Sequence, residues 1–394
     1  MRGKFVHDMA KYFVKAGIDV YVVTHHGKGT SSFERRDGVN IHRFHYFLPR
    51  FETLAAGSGI PENIKYFRNK IQVPFYFLSL LLYSRKIIRK NSIDIINAHW
   101  AFPTGYVGLM LKMLTGKKLI TTIYGAELFP VVAGKMKILR PLIRQALNGA
   151  DLVVGISSET VKAAEKISGR KEIYIIPDGI DIDYYKPGNK DENLLGKYNC
   201  RNKRVIFFTG RMVERKGHRY LLEAMRYVRD VFPDVKLILG GHGPLFDELA
   251  NLRKEWKLAD VVEMPGFLPE NEIVPMLQSA DMYVLPSCID KNGDTEGSAT
   301  AALEAMACGT PALVSKVGGN IGSIEEGRGA YYFEAANPAD LANKIISLLS
   351  DKELLGCNKP ESRKFIEERY SWENSINKYF GVIRGEVQVA RNKK

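Results

Sequence analysis

Short apolar runs alternate with longer amphipathic stretches along most of this chain, and that alternation restricts the fold more than any other feature. Residues 93–98, 118–123, 152–156 and 172–176 read as strands, with helices over 104–114, 135–147 and 159–167 between them. The second half repeats the pattern. Strands are expected at 204–209, 235–239, 261–264, 282–285, 312–315 and 330–333, separated by helices. The helix at 218–232 carries Leu221, Leu222, Met225 and Val228 on one face. Strand–helix–strand repeats imply parallel sheets covered on both faces, with ligands at the carboxyl ends of strands. The fold class is therefore α/β, with two doubly wound, Rossmann-like units. The turn-rich stretch 177–183, followed by Pro187-Gly188, places the boundary. The first domain is read as 1–184 and the second as 185–371, with a last helix and frayed tail over 372–394 completing the first.

The start departs from this scheme. Phe5, Met9, Tyr12 and Phe13 mark a short amphipathic helix ending near Gly17, and 18–24 reads as the next strand. A unit of this type opens with a strand and a Gly-rich turn, of which only Gly3 remains. The first strand is thus expected to be missing, through a misplaced start or a truncation. Residues 39–45 read as a strand and 51–69 as a loop holding a short helix. An apolar helix over 70–90 ends in Arg85, Lys86, Arg89 and Lys90, charges that suit its dipole and could also meet lipid headgroups.

Several classes drop out. At 394 residues the chain is long enough for two domains, and no apolar run approaches the roughly 20 residues of a spanning helix. The opening Met1-Arg2-Gly3-Lys4 is not expected to be a signal peptide. Cys200, Cys288, Cys308 and Cys357 are scattered, with no CxxC pair, which argues against zinc and against a disulfide framework and fits a reducing cytosol. The net charge of +13 is concentrated before residue 185. No nucleic-acid recognition module accompanies it, so an anionic membrane surface is the favoured partner of the basic half.

The richest stretch runs from Glu296 through Ser298, Thr300, Ala301 and Glu304 to Gly309 and Pro311. It reads as a loop entering a helix at Thr300, stopped by Gly309 and Pro311, with a strand following. Such a helix start presents unpaired N–H groups that favour an anion. Glu296 before the helix and Glu304 one turn inside suit sugar hydroxyls better than phosphate. Diphosphate in the middle and a sugar on each side describes a nucleoside diphosphate sugar. The loop 210–217, directly after a strand, adds Arg211 and Lys216 between Gly210 and Gly217. It has neither Walker A nor GxGxxG spacing. His99-Trp100 and Tyr124-Gly125-Ala126-Glu127 follow strands of the first half. Asp181 and Asp183 lie in the turn-rich linker and are read as turn residues rather than a metal pair.

Together these pieces resemble the family 4 retaining glycosyltransferases. The resemblance rests on His99–Gly105, Thr122–Glu127, Pro177–Asp181, Gly210-Arg211 with Lys216-Gly217, Gly241–Pro244, Ala280-Asp281 with Leu285–Ser287, the Glu-x7-Glu of Glu296 and Glu304, and Tyr370–Glu373. It implies the GT-B architecture, two Rossmann-like domains facing across a cleft. It also implies transfer of a hexose to a glycan or lipid-linked acceptor, as in polysaccharide biosynthesis, without metal or cofactor. The first domain would bind the acceptor and the second the donor. Arg211 and Lys216 would hold the diphosphate, Glu304 the ribose and Glu296 the hexose, with Gly210, Gly241, Gly243, Ser298, Thr300 and Ala301 lining the site and Leu268 beside the base. His99 and Tyr124 would face the sugar from the first domain. The protein would be cytoplasmic and peripheral on the inner membrane face. A nucleotide-sugar epimerase of the same architecture and an inactive nucleotide-sugar-binding paralogue or fragment are the alternatives. Two residues depart from the family pattern: Tyr124 stands where many members have His, and Asn320–Ser323 replaces the usual Pro-Glu after Gly318-Gly319.

Overall fold

A computed structural model describes residues 3–56 and 60–386. Thirteen strands are found among them. They are β1 (Tyr21–His25), β2 (Phe33–Arg36), β3 (Val39–Phe44), β4 (Ile95–His99), β5 (Lys118–Ile123), β6 (Leu152–Gly155), β7 (Tyr174–Ile175), β8 (Arg204–Thr209), β9 (Val235–Gly240), β10 (Val262–Gly266), β11 (Met282–Leu285), β12 (Ala312–Ser315) and β13 (Ala330–Phe333). The second half forms one six-stranded parallel sheet, ordered β10-β9-β8-β11-β12-β13. Its central strands are predominantly apolar because helices cover both faces; β9 is buried at all six positions, with Lys236 donating to Asp260 O and lying near Glu263. The strand order reverses between β8 and β11, so a crevice opens where their two following loops diverge.

The first half is divided. β4-β5-β6-β7 form one parallel sheet. β1 and β3 pair in parallel and β2 adds antiparallel to β3, forming a separate three-stranded sheet. The helix Lys4–Lys15 leads into β1, and among the described residues no strand precedes it. β1 and β4 are each an edge strand of its own sheet, and every residue of β1 is only half-buried. A central pair of a covered parallel sheet would be buried, as β5 and β6 are. The strands of the first half thus fall into two sheets rather than one.

Most elements match the sequence pattern, with informative shifts. The helix expected over 135–147 is Arg140–Gly149, preceded by a short Phe129–Val132 helix and a 3-10 turn at Lys137–Leu139, because Pro141 favours the first turn of a helix. The long apolar helix is Gln72–Lys90, with Phe67–Lys70 as a separate turn. β2 lies outside the pattern altogether; its Phe-Glu-Arg-Arg sequence is exposed and charged, as edge strands are. The helix Trp372–Arg384 packs on the first half of the chain, where Trp372, Ile376 and Tyr379 join Met9, Tyr12, Ile120 and Val154 in one cluster. The tail expected to fray lies outside the described residues.

Candidate active site

The loop after β8 and the loop after β11 meet at the reversal of strand order. Gly210 N donates to Gly240 O at 3.1 Å and Met212 N to His242 O at 3.1 Å, so the 210–217 loop is pinned along the loop after β9. A Cβ on Gly241, at φ 120°, would lie 2.0 Å from Gly210 O. Only glycine allows these two backbones to touch. Lys216 and Arg215 are delivered by the 3-10 turn Glu214–Lys216 toward Glu296. Lys216 Nζ is 2.7 Å from Glu296 Oε1 and Arg215 Nη1 3.3 Å from Glu296 Oε2. Ser287 Oγ donates to Glu296 Oε1 at 2.9 Å. Burial pushes the Glu296 carboxyl up, but the two cations beside it and the Ser287 bond outweigh burial and hold it below the ordinary range. Arg211 is exposed in the same loop.

Glu296 is followed by Gly297, Ser298 and the helix Thr300–Ala307, whose N-cap residue, Ala299, supplies no side-chain cap. The first amides of that helix therefore remain available to a ligand. Glu304, one turn in, is hydrogen-bonded to Tyr185. Burial raises its carboxyl, and Tyr185 and the nearby Lys4 only partly oppose this. Lys4 Nζ donates to Tyr185 OH at 3.1 Å, so the first helix of the chain reaches the same corner. Gly243 lies against Met212 backbone. Leu268 is buried against Gly240, whereas its neighbour Phe267 is 82% exposed.

Across the crevice stand the loops after β4 and β5. His99 Nδ1 and Tyr124 OH are 2.7 Å apart, with their rings stacked at 5.9 Å. Burial lowers His99 to about 4, so the imidazole is neutral near pH 7, and burial raises Tyr124 well above its usual value. Trp100 and Phe5 pack on the Tyr124 ring at 5.2 and 4.9 Å. Trp100 holds φ at 69°, a strained conformation for a bulky residue. Glu127 Oε1 accepts from Tyr124 N and Ala101 N, which ties the two loops together, while its buried Oε2 has no partner. The two halves touch here: a Cβ on Gly297 would lie 2.2 Å from Tyr124 O.

Sequence reasoning named Lys216, Glu296, Glu304, His99 and Tyr124, and the structure brings the first two together in one cluster and the last two in another. It missed Arg215, which looked like one more charge in a basic loop. It also missed Asp178, whose carboxyl burial raises to about 7. Asp181 accepts from the amides of Asp183 and Tyr184 and from Lys11 Nζ, as a turn residue does. The four cysteines are all free thiols.

Comparison with known proteins accords with this geometry. The family model described as Glycosyltransferase Family 4 matches residues 3–184, and that described as Glycosyl transferases group 1 matches 192–372. The chain is 26% identical over 328 residues to N-acetyl-alpha-D-glucosaminyl L-malate synthase of Bacillus anthracis, covering 82% of this chain and 83% of that one. Among solved structures it is similar to sucrose-phosphate synthase from Thermosynechococcus elongatus, with TM-score 0.78, 20% identity and coverage of 98% and 93%. It is also similar to Anabaena Alr3699/HepE in complex with UDP and glucose, with TM-score 0.70, 19% identity and coverage of 88% and 87%. Two family models that between them span all three sheets, and a shared two-domain architecture, establish that the chain belongs to the family 4 glycosyltransferases and is a transferase of GT-B fold.

Proposed function

We propose that this enzyme moves a hexose from a nucleoside diphosphate sugar to a glycan or lipid-linked acceptor, with retention of anomeric configuration and without a metal. The observation that carries the reading is the buried Glu296, held by Lys216 and Arg215 directly ahead of an uncapped helix start. Residues 185–371 take the donor and 1–184 the acceptor. On donor binding Glu296 accepts from a hexose hydroxyl, which releases Lys216 toward the diphosphate. Arg211 and the amides of Ser298, Thr300 and Ala301 add donors to the same anion, and Gly210, Gly241 and Gly243 allow close approach. Glu304 accepts from the ribose. The base lies near Leu268, with Phe267 as the side chain exposed there. Charge develops on the departing diphosphate, so fixed cations and amides aimed at it lower the barrier. The bond from C1 to the phosphate oxygen breaks, the acceptor oxygen bonds C1 on the same face, and the acceptor proton passes to the leaving phosphate. Neutral His99 and Tyr124 orient the sugar from the opposite wall.

The acceptor side fits a peripheral position on the inner membrane face. No helix among the described residues is long and apolar enough to cross a membrane. The helix Gln72–Lys90 instead exposes Phe75, Leu78 and Leu82 and ends in Arg85, Lys86, Arg89 and Lys90. An apolar stripe beside a basic cluster is the pattern of an interfacial helix.

A panel of UDP-, GDP- and ADP-sugars, scored by thermal shift and by nucleotide release with and without chelator, tests the reading. Release with one donor, unaffected by chelator and giving a product of unchanged anomeric configuration, supports it. The appearance of an epimerised nucleotide sugar without acceptor would replace it with an isomerase. Binding without any release would reduce the protein to a nucleotide-sugar binder.

A further inference from the structure

We infer that the carboxyl ends of β1 and β3 carry a site for a transition-metal dication, built from His26, His45 and Glu52. This inference is independent of the glycosyl transfer proposed above. The residues belong to the three-stranded sheet, whereas Lys216 and Glu296 lie on the six-stranded one.

Strand register brings the two imidazoles together. His25 pairs with Phe44 at the end of the β1–β3 ladder, and His26 N donates to Phe44 O at 2.8 Å. His26 and His45 are therefore the next residues past the ladder, side by side with ring centroids 4.1 Å apart. The third group comes from the loop that follows. Glu52 Oε1 accepts from Tyr46 N at 2.6 Å and Phe47 N at 3.2 Å, which locks the carboxylate and leaves Oε2 3.0 Å from His45 Nδ1. The Glu52 side chain is only 7% exposed. One donor atom from each of the three residues lies within 4.8 Å of the other two.

An ordinary ion pair accounts for Glu52 and His45 but not for His26. The His26 ring instead lies against the His45 ring, with a ring nitrogen of each near a Glu52 carboxylate oxygen. Two imidazole nitrogens and a carboxylate oxygen suit zinc, cobalt or nickel, while magnesium and calcium prefer all-oxygen sets. The bond from Glu52 to two backbone amides is the kind of outer support that ligating carboxylates receive. Metal binding would displace the proton shared between His45 and Glu52. Three protein ligands leave a coordination position for water or an anionic oxygen, and the His45 side chain is 38% exposed, so that position opens to solvent. The carboxyl ends of strands are where α/β sheets receive ligands. Cysteine spacing gave no hint of the site because its ligands are two histidines and a glutamate, gathered by strand pairing and the loop after β3.

The test uses tag-free full-length protein carrying Cys357→Ser, which removes the exposed thiol as a competing ligand. The protein is stripped with chelator, then titrated with Zn²⁺, with bound metal and melting temperature as readouts. Cobalt replacement reports the coordination environment. The expected result is about one equivalent bound, a metal-dependent rise in melting temperature, and a cobalt spectrum of low coordination number. His26→Asn, His45→Asn and Glu52→Gln should each weaken binding by tenfold or more, while His42→Asn, on β3 three residues before His45, should not. Metal-free melting temperatures separate lost ligation from lost folding: a variant that melts like the unsubstituted metal-free protein yet gains nothing from zinc supports the site. Absence of stoichiometric zinc, or zinc retained equally by all three ligand variants, overturns it.

Discussion

Lys216 Nζ and Glu296 Oε1 sit 2.7 Å apart at the reversal of strand order, and the carboxylate is almost wholly out of solvent. Neither residue is there for its partner alone. A buried pair of this kind contributes little net stability, yet removing one member leaves the other charge without compensation. Lys216→Met should therefore destabilise the fold by about 1–3 kcal/mol, less than a fully broken pair because Arg215 remains. Adding Glu296→Gln to it should recover most of that loss. Urea unfolding of the four members of the cycle measures this, and strictly additive losses would show that the pair does not interact.

The same carboxylate carries a pH signature. Its folded value is depressed, so its stabilising contribution is complete above the unfolded glutamate range and disappears as pH falls through the folded value. Wild type should lose stability relative to Glu296→Gln below about pH 4.5 and not above pH 6. Urea midpoints across that window decide it.

Buried histidine acts in a higher window. His218 is 1% exposed, and burial lowers it to about 3. The unfolded chain binds a proton near pH 6.5 that the fold refuses, so stability declines as pH drops from about 6.5 toward 3. His99, at about 4, behaves alike. Replacing His218 with Gln should remove about 2 kcal/mol of the difference between stability at pH 7 and pH 5. An unchanged difference would mean that the imidazole is protonated in the fold.

Donor recognition is tested at Glu304. Glu304→Ala should weaken nucleotide-sugar binding by about 1–3 kcal/mol if ribose hydroxyls donate to it, with little effect on melting temperature. Calorimetry with the donor identified by the panel reads this directly. Equal affinity would remove Glu304 from the donor site.

Gly297 is where the second domain touches the first. Gly297→Ala places a methyl group within 2.2 Å of Tyr124 O, so the two backbones must part. Turnover should fall by tenfold or more, as misplacement of reacting groups does. Gly356→Ala, with nothing within 4 Å, is the control and should leave turnover unchanged. Equal turnover in both variants would show that this contact does not set the catalytic geometry.

Sequence by itself determined the α/β class and where the strands of the second sheet lie along the chain. The reason is physical: strands buried on both faces are predominantly apolar, and glycine is required where Gly241 meets Gly210. The likeness of the Glu296–Glu304 stretch to a known family then supplied the chemistry. Tertiary structure alone decided which charges meet. Arg215 and Lys216 are adjacent in a basic loop, and only the packing of that loop against the segment after β11, where Cys288 N donates to Arg215 O, turns both toward Glu296. Asp178 and His218 look like turn and surface residues until the fold takes water from them. The division of the first half into two sheets and the gathering of His26, His45 and Glu52 are likewise products of register and loop path, because groups far apart in the chain become neighbours only when strands pair.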